Sequence, residues 1–371
     1  MVYGNHGKSP AQLEDYHLYL TQALETLGYE PLFCEEIIPG RLNILIEYFS
    51  SQDVFKVAQA MKTPGTRFIC IATEFITGQT FNDFDKTTPQ HAVRRNFKIP
   101  RWLEILGARL IPVIFPEFLR ALVIEYMPTP YFKARQLYYS WFGYPTSSIY
   151  SAKNYWLDRF RYFNHIVPHC EAIWCVTPHQ MEEFKHWYGD KVHLMPIASW
   201  KAEPQNQLDG HIEKDIDFLF TGSATPYREA VFECLRNKGY KVFVGPATLP
   251  TYLREHFIAR SKVCLQVRQN GSWKYPSIMR YHYLLCSGAT VLAEQTDETC
   301  PQEEFILTAK PKDFVQKCID VIESGIFDGY GAHACLNYYK GSASGREDFA
   351  RLLPKRTVKN ERILEPSLSH H

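Results

Sequence analysis

An apolar run that stops at a glycine, followed by a short polar loop and a basic residue, is an arrangement that gathers positive potential. Residues 215–222 read Asp215-Ile-Asp-Phe-Leu-Phe-Thr-Gly222, and Ser223, Pro226 and Arg228 follow. A buried parallel strand ends in this way before a loop. A helix starting after such a loop adds backbone amides and the positive end of its dipole. The amides after Gly222, together with Arg228 and with Lys274 or Arg280 farther along, are groups of the type that stabilises negative charge developing on a departing phosphate. For each of these side chains the competing reading is a plain surface charge. A second candidate is Glu74, which closes the apolar run Arg67-Phe-Ile-Cys-Ile-Ala-Thr-Glu74, with Thr77 and Gly78 just beyond. A carboxylate at the carboxyl end of a parallel strand is a candidate general base or acceptor-binding group, and the alternative is a solvated loop carboxylate or a helix cap. His165 and His169 either face the same region or are satisfied structural histidines.

Elements of alternating type must position these residues. After Gly222 the pattern predicts a helix carrying Ala230, Val231, Cys234 and Leu235, closed near Gly239, then a strand 240–245. A helix with Leu253, Phe257 and Ile258 on its apolar side follows, then a strand 261–268, a loop 270–276 holding Lys274 and Tyr275, and a helix 277–286 beginning at Ser277. Gly288 sits where a helix end calls for a left-handed residue, and a strand 290–294 comes next. Strands alternating with helices through short loops imply a parallel sheet covered on both faces, with ligands bound at the carboxyl ends of its strands.

This stretch resembles the C-terminal, donor-binding half of GT-B glycosyltransferases, most nearly the family 4 and spore-maturation CgeB-like members. In the former a strand ends in a glycine, and a basic residue six positions on holds the diphosphate of the sugar nucleotide; Gly222 and Arg228 stand at that offset. Those families also carry a small-residue turn, matched by Cys286-Ser287-Gly288-Ala289, with acidic residues five and thirteen positions before its glycine. Tyr283 and Tyr275 occupy those two places. The resemblance covers residues 165–330 well and the earlier half in outline.

The resemblance implies an α/β protein of GT-B architecture, with two Rossmann-like domains whose parallel sheets face each other across a cleft. It implies a metal-independent, hexosyltransferase-like enzyme with a nucleoside-diphosphate sugar of UDP or GDP type as co-substrate and no cofactor. It assigns the nucleotide sugar to Gly222, Ser223, Arg228, Arg268, Lys274, Tyr275, Ser277, Arg280 and Tyr283. In such enzymes the first loop faces the donor phosphates across the cleft, which makes His6, Gly7 and Lys8 candidates, and His6 joins Glu74 as a catalytic candidate. Two further readings stand beside this one: a nucleotide-sugar epimerase of the same architecture, and a noncatalytic nucleotide- or glycan-binding protein with a degenerate site.

Length and composition are consistent with two domains. The chain has 371 residues, against a soft prior of about 150 per domain. It is 45% hydrophobic and 22% charged, which is globular, and its formal net charge of +1 argues against a general polyanion or nucleic-acid binder. Ten cysteines, mostly in apolar contexts and without a CxxC pair, read as buried free thiols in a reducing, cytoplasmic setting rather than as disulfides or a zinc site. The expected organisation is an acceptor-side domain 1–204, a nucleotide-sugar domain 205–330, and a segment 331–371 that returns to the first domain and ends in a loose tail.

The first domain opens with either a two-residue strand stub at Val2-Tyr3 or a frayed terminus, then a helix 11–27, strands at 30–35 and 42–49, a helix 53–61 and the strand leading to Glu74. It closes with a strand 172–176, a helix capped by Thr177 with Pro178 at its first position, and a strand 191–196. An insert of about 87–160 interrupts it. There Arg94, Arg95, Lys98, Arg101 and Arg109 alternate with aromatic and aliphatic residues, and a tyrosine- and tryptophan-rich run follows. Three accounts of the insert stay open: core plus an acceptor lid, a surface at 94–144 lying on a membrane beside a lipid-linked acceptor, or a stacking platform for a polymer. Charges and prolines within its most apolar run argue against a bilayer-spanning helix. From Gly325 onward the glycines predict turns, with a last helix at 347–353.

Overall fold

The computed structural model describes residues 2–3, 14–34, 36–47, 49, 51–78, 80–82, 155–204, 212–246 and 249–354. His6 and the first loop, most of the insert expected at 87–160, including all of 94–144, the linker 205–211 and the tail from 355 lie outside these residues.

In chain order the first unit consists of β1 (Val2–Tyr3), α1 (Glu14–Thr26), β2 (Phe33–Cys34), β3 (Leu42–Ile46), α2 (Ser51–Ala60), β4 (Arg67–Ala72), β5 (Ile76–Thr77), β6 (Thr80–Phe81), α3 (Tyr155–Ile166), β7 (Ala172–Cys175), α4 (Met181–Tyr188) and β8 (Val192–Leu194). Six of its strands form one sheet in the order β2-β1-β3-β4-β7-β8. Every pairing in it is parallel. Strands β3 and β4 are buried almost throughout because both faces of the sheet are covered. Ile69 and Ile71 point to one face, with Tyr19 of α1 and Trp174 of β7, and Phe68 and Cys70 to the other, with Phe163 of α3 and Phe184 of α4. The antiparallel hairpin β5–β6 springs from the carboxyl end of β4.

The second unit consists of β9 (Ile216–Thr221), α5 (Pro226–Asn237), β10 (Val242–Gly245), α6 (Thr251–Ala259), β11 (Ser261–Gln266), α7 (Ile278–Cys286), β12 (Val291–Glu294), β13 (Leu307–Ala309) and α8 (Phe314–Glu323). Its sheet has the order β10-β9-β11-β12-β13 and is parallel throughout. Phe218, Phe220 and Leu265 pack under α5 and α8, while α6 and α7 cover the other face and meet α1. One buried cluster, from Tyr19 and Trp174 to Tyr281 and Leu285, therefore joins the two units.

In both sheets the first strand lies between the second and the third. Successive crossovers then run to opposite sides, which opens a crevice at the carboxyl end of the first strand.

Several sequence expectations are corrected at the level of elements. The strand expected at 30–35 is two residues long. Thr177 is extended, but its side chain makes no capping bond, and a 3-10 turn over Pro178–Gln180 intervenes before α4 begins at Met181. The largest difference follows Gly325, where the chain forms a helix, α9 (Phe327–Gly341), rather than turns; the expected last helix is present as α10 (Ala343–Leu352) and starts four residues earlier. The backbone leaves helical geometry only at Asp328 and Gly329. Glycine serves close packing here, since a Cβ on Gly331 would lie 2.1 Å from the carbonyl oxygen of Gly288. From α10, Phe349 packs its ring 5.6 Å from Tyr19 and 5.7 Å from Trp174. All ten cysteines are free. Among the described residues, no helix is long and apolar enough to cross a membrane.

Candidate functional site

Strand β9 hands the chain to Gly222, whose φ of +147° suits a residue without a side chain. Thr225 then caps α5: its Oγ1 accepts a hydrogen bond from the Arg228 amide at 3.3 Å and donates to the Gln269 carbonyl at 2.7 Å. Pro226 opens the helix, where a missing N–H costs nothing. The loop is thus tied to the chain leaving β11, and the amino end of α5 stands at the carboxyl edge of the sheet.

Arg228 is built into the wall of this site. It is only 7% exposed, its Nε donates to the Val267 carbonyl at 2.9 Å and its Nη1 to the Ser223 carbonyl at 2.8 Å. Arg280, half-buried at the start of α7, stands over the glycine instead. A Cβ on residue 222 would lie 3.1 Å from its Nη1 and 3.3 Å from its Nη2. The rings and charges stack closely, with the Phe220 ring 4.9 Å from the Arg228 guanidinium and 5.9 Å from that of Arg280. Burial, then the neighbouring Arg280, pulls Arg228 down to about 9, so it remains charged at neutral pH. Two cations held together beside a helix amino end are stabilised by an anion between or before them.

The other residues named for this region divide sharply. Ser223 and Lys274 are exposed, and Ser277 precedes α7 without a side-chain capping bond. Arg268 is neutralised within the protein: its Nε lies 3.4 Å from Glu294, whose carboxylate also accepts from the Arg268 amide at 3.1 Å and from the Tyr227 hydroxyl. Tyr275 crosses to the first unit, with its ring 4.4 Å from Phe75 and its hydroxyl accepting from Gln180 Nε2 at 2.8 Å. Tyr283 is 3% exposed; its hydroxyl donates to Glu255, and the Arg254 guanidinium, paired with Asp15 of α1 at 2.7 Å, lies 3.8 Å over its ring. Tyr283 therefore belongs to the contact between the units and not to the open crevice.

On the opposite wall Glu74 sits just beyond β4, beside a carboxylate that the sequence reading missed. Glu47 directly follows β3 and is fully buried, and Arg159 of α3 bridges the two. Its Nη2 lies 2.7 Å from Glu47 Oε2, and its Nη1 lies 2.8 Å from Glu74 Oε1. Thr73 donates to Glu47 at 2.8 Å and Asn82 Nδ2 to Glu74 at 2.5 Å. Burial outweighs Arg159 and raises Glu47 to about 7. Tyr16 of α1 faces the same group, its hydroxyl pushed up first by burial and then by Glu74. Both Glu47 and Glu294 close apolar strands in the way Glu74 does, so the signal that marked Glu74 was present for them too. His165 and His169 are exposed before β7, at the amino edge of the sheet. Among the described residues, no group of three or more His, Cys, Asp or Glu side chains is placed to hold a metal ion.

The two carboxyl edges meet. Phe75, after β4, contacts Trp273 at 5.6 Å as well as Tyr275, and His179, after β7, lies 3.1 Å from Glu298 and 2.8 Å from the Thr299 carbonyl, both after β12. Two doubly wound parallel sheets thus present their carboxyl edges to one another across a crevice. The fold is GT-B.

No protein-family model matches the chain, and no curated protein matches it in sequence. Solved structures similar to this GT-B chain include TarM, at 8% identity and a TM-score of 0.40, over 84% of this chain and 53% of that one. The pneumococcal O-GlcNAc transferase GtfA in complex with UDP and GlcNAc matches at 10% identity and 0.42, over 91% of this chain and 58% of that one. Anabaena Alr3699/HepE in complex with UDP matches at 8% identity and 0.42, over 94% and 97%. The chain spans little more than half the length of TarM and GtfA.

Proposed function

We propose that this protein is a glycosyltransferase that moves a sugar from a nucleoside-diphosphate sugar, of UDP or GDP type, to a hydroxyl group of an acceptor held on the first unit. The observation that carries the reading is the pair of guanidinium groups at Gly222 and the amino end of α5, placed where a doubly wound sheet binds ligands. When the anomeric bond breaks, its electron pair leaves on a phosphate oxygen. Arg280, the amides after Gly222 and the α5 dipole lower the free energy of that charge, and one such donor is worth roughly 3 kcal/mol. Arg228 acts behind them, holding the loop through the Ser223 and Val267 carbonyls. Glu74 is the carboxylate we assign to the acceptor side, where it takes the proton from the attacking hydroxyl. The offset from Gly222 to Arg228 and the turn at 286–289 support a place near family 4 and the CgeB-like enzymes. We set the boundary between the units near residue 205.

A noncatalytic nucleotide-binding protein is the second reading. It is favoured by Tyr275 and Tyr283, which stand where acidic residues were expected and are engaged in contacts between the units. Calorimetry with UDP and GDP, followed by assay of nucleotide release from a panel of their sugars with hydroxylated acceptors, tests both. Binding with release supports the transferase; binding without release from any donor supports the second reading, and absence of binding refutes both.

A further inference from the structure

Two carboxylates and one arginine meet at the carboxyl edge of the first sheet. The arginine is shared as a fork. Arg159 directs Nε to Glu47 Oε1 at 3.2 Å and Nη2 to Glu47 Oε2 at 2.7 Å, which leaves Nη1 for Glu74 Oε1 at 2.8 Å. Thr73 completes Glu47, donating to Oε2 at 2.8 Å. Asn82 completes Glu74 through Nδ2 at 2.5 Å, and it is itself locked to the Phe75 backbone, where its amide donates at 2.9 Å and its Oδ1 accepts at 3.1 Å. Side-chain exposure then separates the roles: Glu47 is 0% exposed, Arg159 5% and Glu74 19%, so only Glu74 reaches an acceptor.

We propose that Glu47 and Arg159 are positioning residues that hold the Glu74 carboxylate in place, so that the two carboxylates work as one unit around a shared arginine. The assignment of Glu74 to the acceptor rests on the transferase reading above; the coupling between the carboxylates does not. When Glu47 carries a proton, the charge of Arg159 falls to Glu74 alone. When Glu47 ionises, the two carboxylates share that arginine and its hold on Glu74 weakens. Among the described residues, the other titratable groups facing Glu47 are Tyr16 of α1, Cys70 of β4 and Tyr188 of α4, all pushed up by burial and therefore neutral across this range. The switch thus lies with Glu47, whose burial raises it to about 7. In the reaction, the acceptor oxygen forms its bond to the anomeric carbon, its proton passes to Glu74, and the anomeric bond pair departs on the diphosphate.

Glu47→Gln keeps the shape and an acceptor for Arg159 but removes the titration. With a donor that the wild type turns over, kcat/KM is followed from about pH 5.5 to about pH 9. The wild type is expected to show an inflection near neutrality, and the variant to lose it while binding UDP with unchanged affinity. An inflection that persists in folded Glu47→Gln overturns the proposal. A readout without turnover runs beside it. Because folded Glu47 holds its proton to a higher pH than the unfolded chain does, the wild type is expected to lose melting temperature relative to Glu47→Gln between about pH 5 and about pH 8. Glu74→Gln is expected to shift that loss to lower pH. Parallel melting of wild type and Glu47→Gln, or no shift in Glu74→Gln, overturns the coupling whatever the enzyme does. Melting curves that diverge as expected, with no turnover of any nucleotide sugar, support the coupling and refute only the transferase reading.

Discussion

Replacing Arg280 by Gln removes the cation that stands over Gly222, and the structure sets what this does to nucleotide binding. Its Nη1 and Nη2 approach within 3.1 and 3.3 Å of the place a Cβ would take on residue 222, so they flank the backbone that a diphosphate would meet. A hydrogen bond to a charged group contributes about 1.5–3 kcal/mol. At about 1.4 kcal/mol per factor of ten, the Kd for UDP measured by titration calorimetry is expected to rise about 10- to 150-fold. The loss is expected to shrink at higher ionic strength, because part of the attraction is screened. Arg228→Gln is expected to act differently. Its Nε and Nη1 serve the Val267 and Ser223 carbonyls, and disturbing buried bonds of this kind costs about 1–3 kcal/mol of stability, so the variant should melt lower. The reasoning is refuted if Arg280→Gln binds UDP as tightly as the wild type while a folded Arg228 variant does not bind it. The diphosphate would then be held by the residue built into the wall, with the glycine serving the turn alone.

Three further outcomes follow from the packing and the buried charges. Gly331→Ala would put a Cβ 2.1 Å from the Gly288 carbonyl oxygen, and it is expected to lower the melting temperature by forcing α9 off the turn after α7; an unchanged melt would show that this contact yields freely. His282 is fully buried, 2.9 Å from the Tyr338 hydroxyl, and burial lowers it from 6.5 to about 3. The folded protein therefore binds fewer protons than the unfolded chain between these values, so stability is complete above about pH 6.5 and falls by about 1.4 kcal/mol per pH unit below it. His282→Phe, which keeps the edge contact with Tyr19 at 5.1 Å, is expected to flatten this acid limb in a chemical denaturation series, and an unaltered limb would assign it to other groups. Gly222→Ala is expected to weaken UDP binding in the same direction as Arg280→Gln, since the methyl must displace the guanidinium; equal affinity in calorimetry would count against that contact.

Much of the architecture was legible in the residues. Continuous apolar runs ending in Gly222, Gly245 and Glu294, separated by segments of helical period, imply parallel strands under helices, because a strand covered on both faces tolerates few polar groups. The turn at Gly288 was legible for a similarly local reason: its φ of +71° is one that glycine adopts without strain. The position of Glu74 at a strand's carboxyl end was also readable, and the same rule applied to Glu47 and Glu294 would have found them.

The partners of the charged residues were decided only by tertiary structure. From sequence, Arg228, Arg268 and Arg280 are all candidate cations for one nucleotide sugar. In the fold Arg228 satisfies two carbonyls, Arg268 is taken by Glu294, and Arg280 stands over the glycine. Tyr283 goes under Arg254 because Asp15, 239 positions or more distant from either residue in the chain, arrives on α1. Gly331, Gly341 and Gly345, which locally favour turns, lie in helices because α9 packs its backbone on the turn at Gly288 and α10 buries Phe349 against Tyr19 and Trp174. Periodicity and strand ends are short-range properties carried by neighbouring residues. The choice of ion-pair partner, and the burial that sets a group's proton affinity, depend on which distant surfaces come within a few ångströms, and that is settled by the packing of the two sheets and the helices between them.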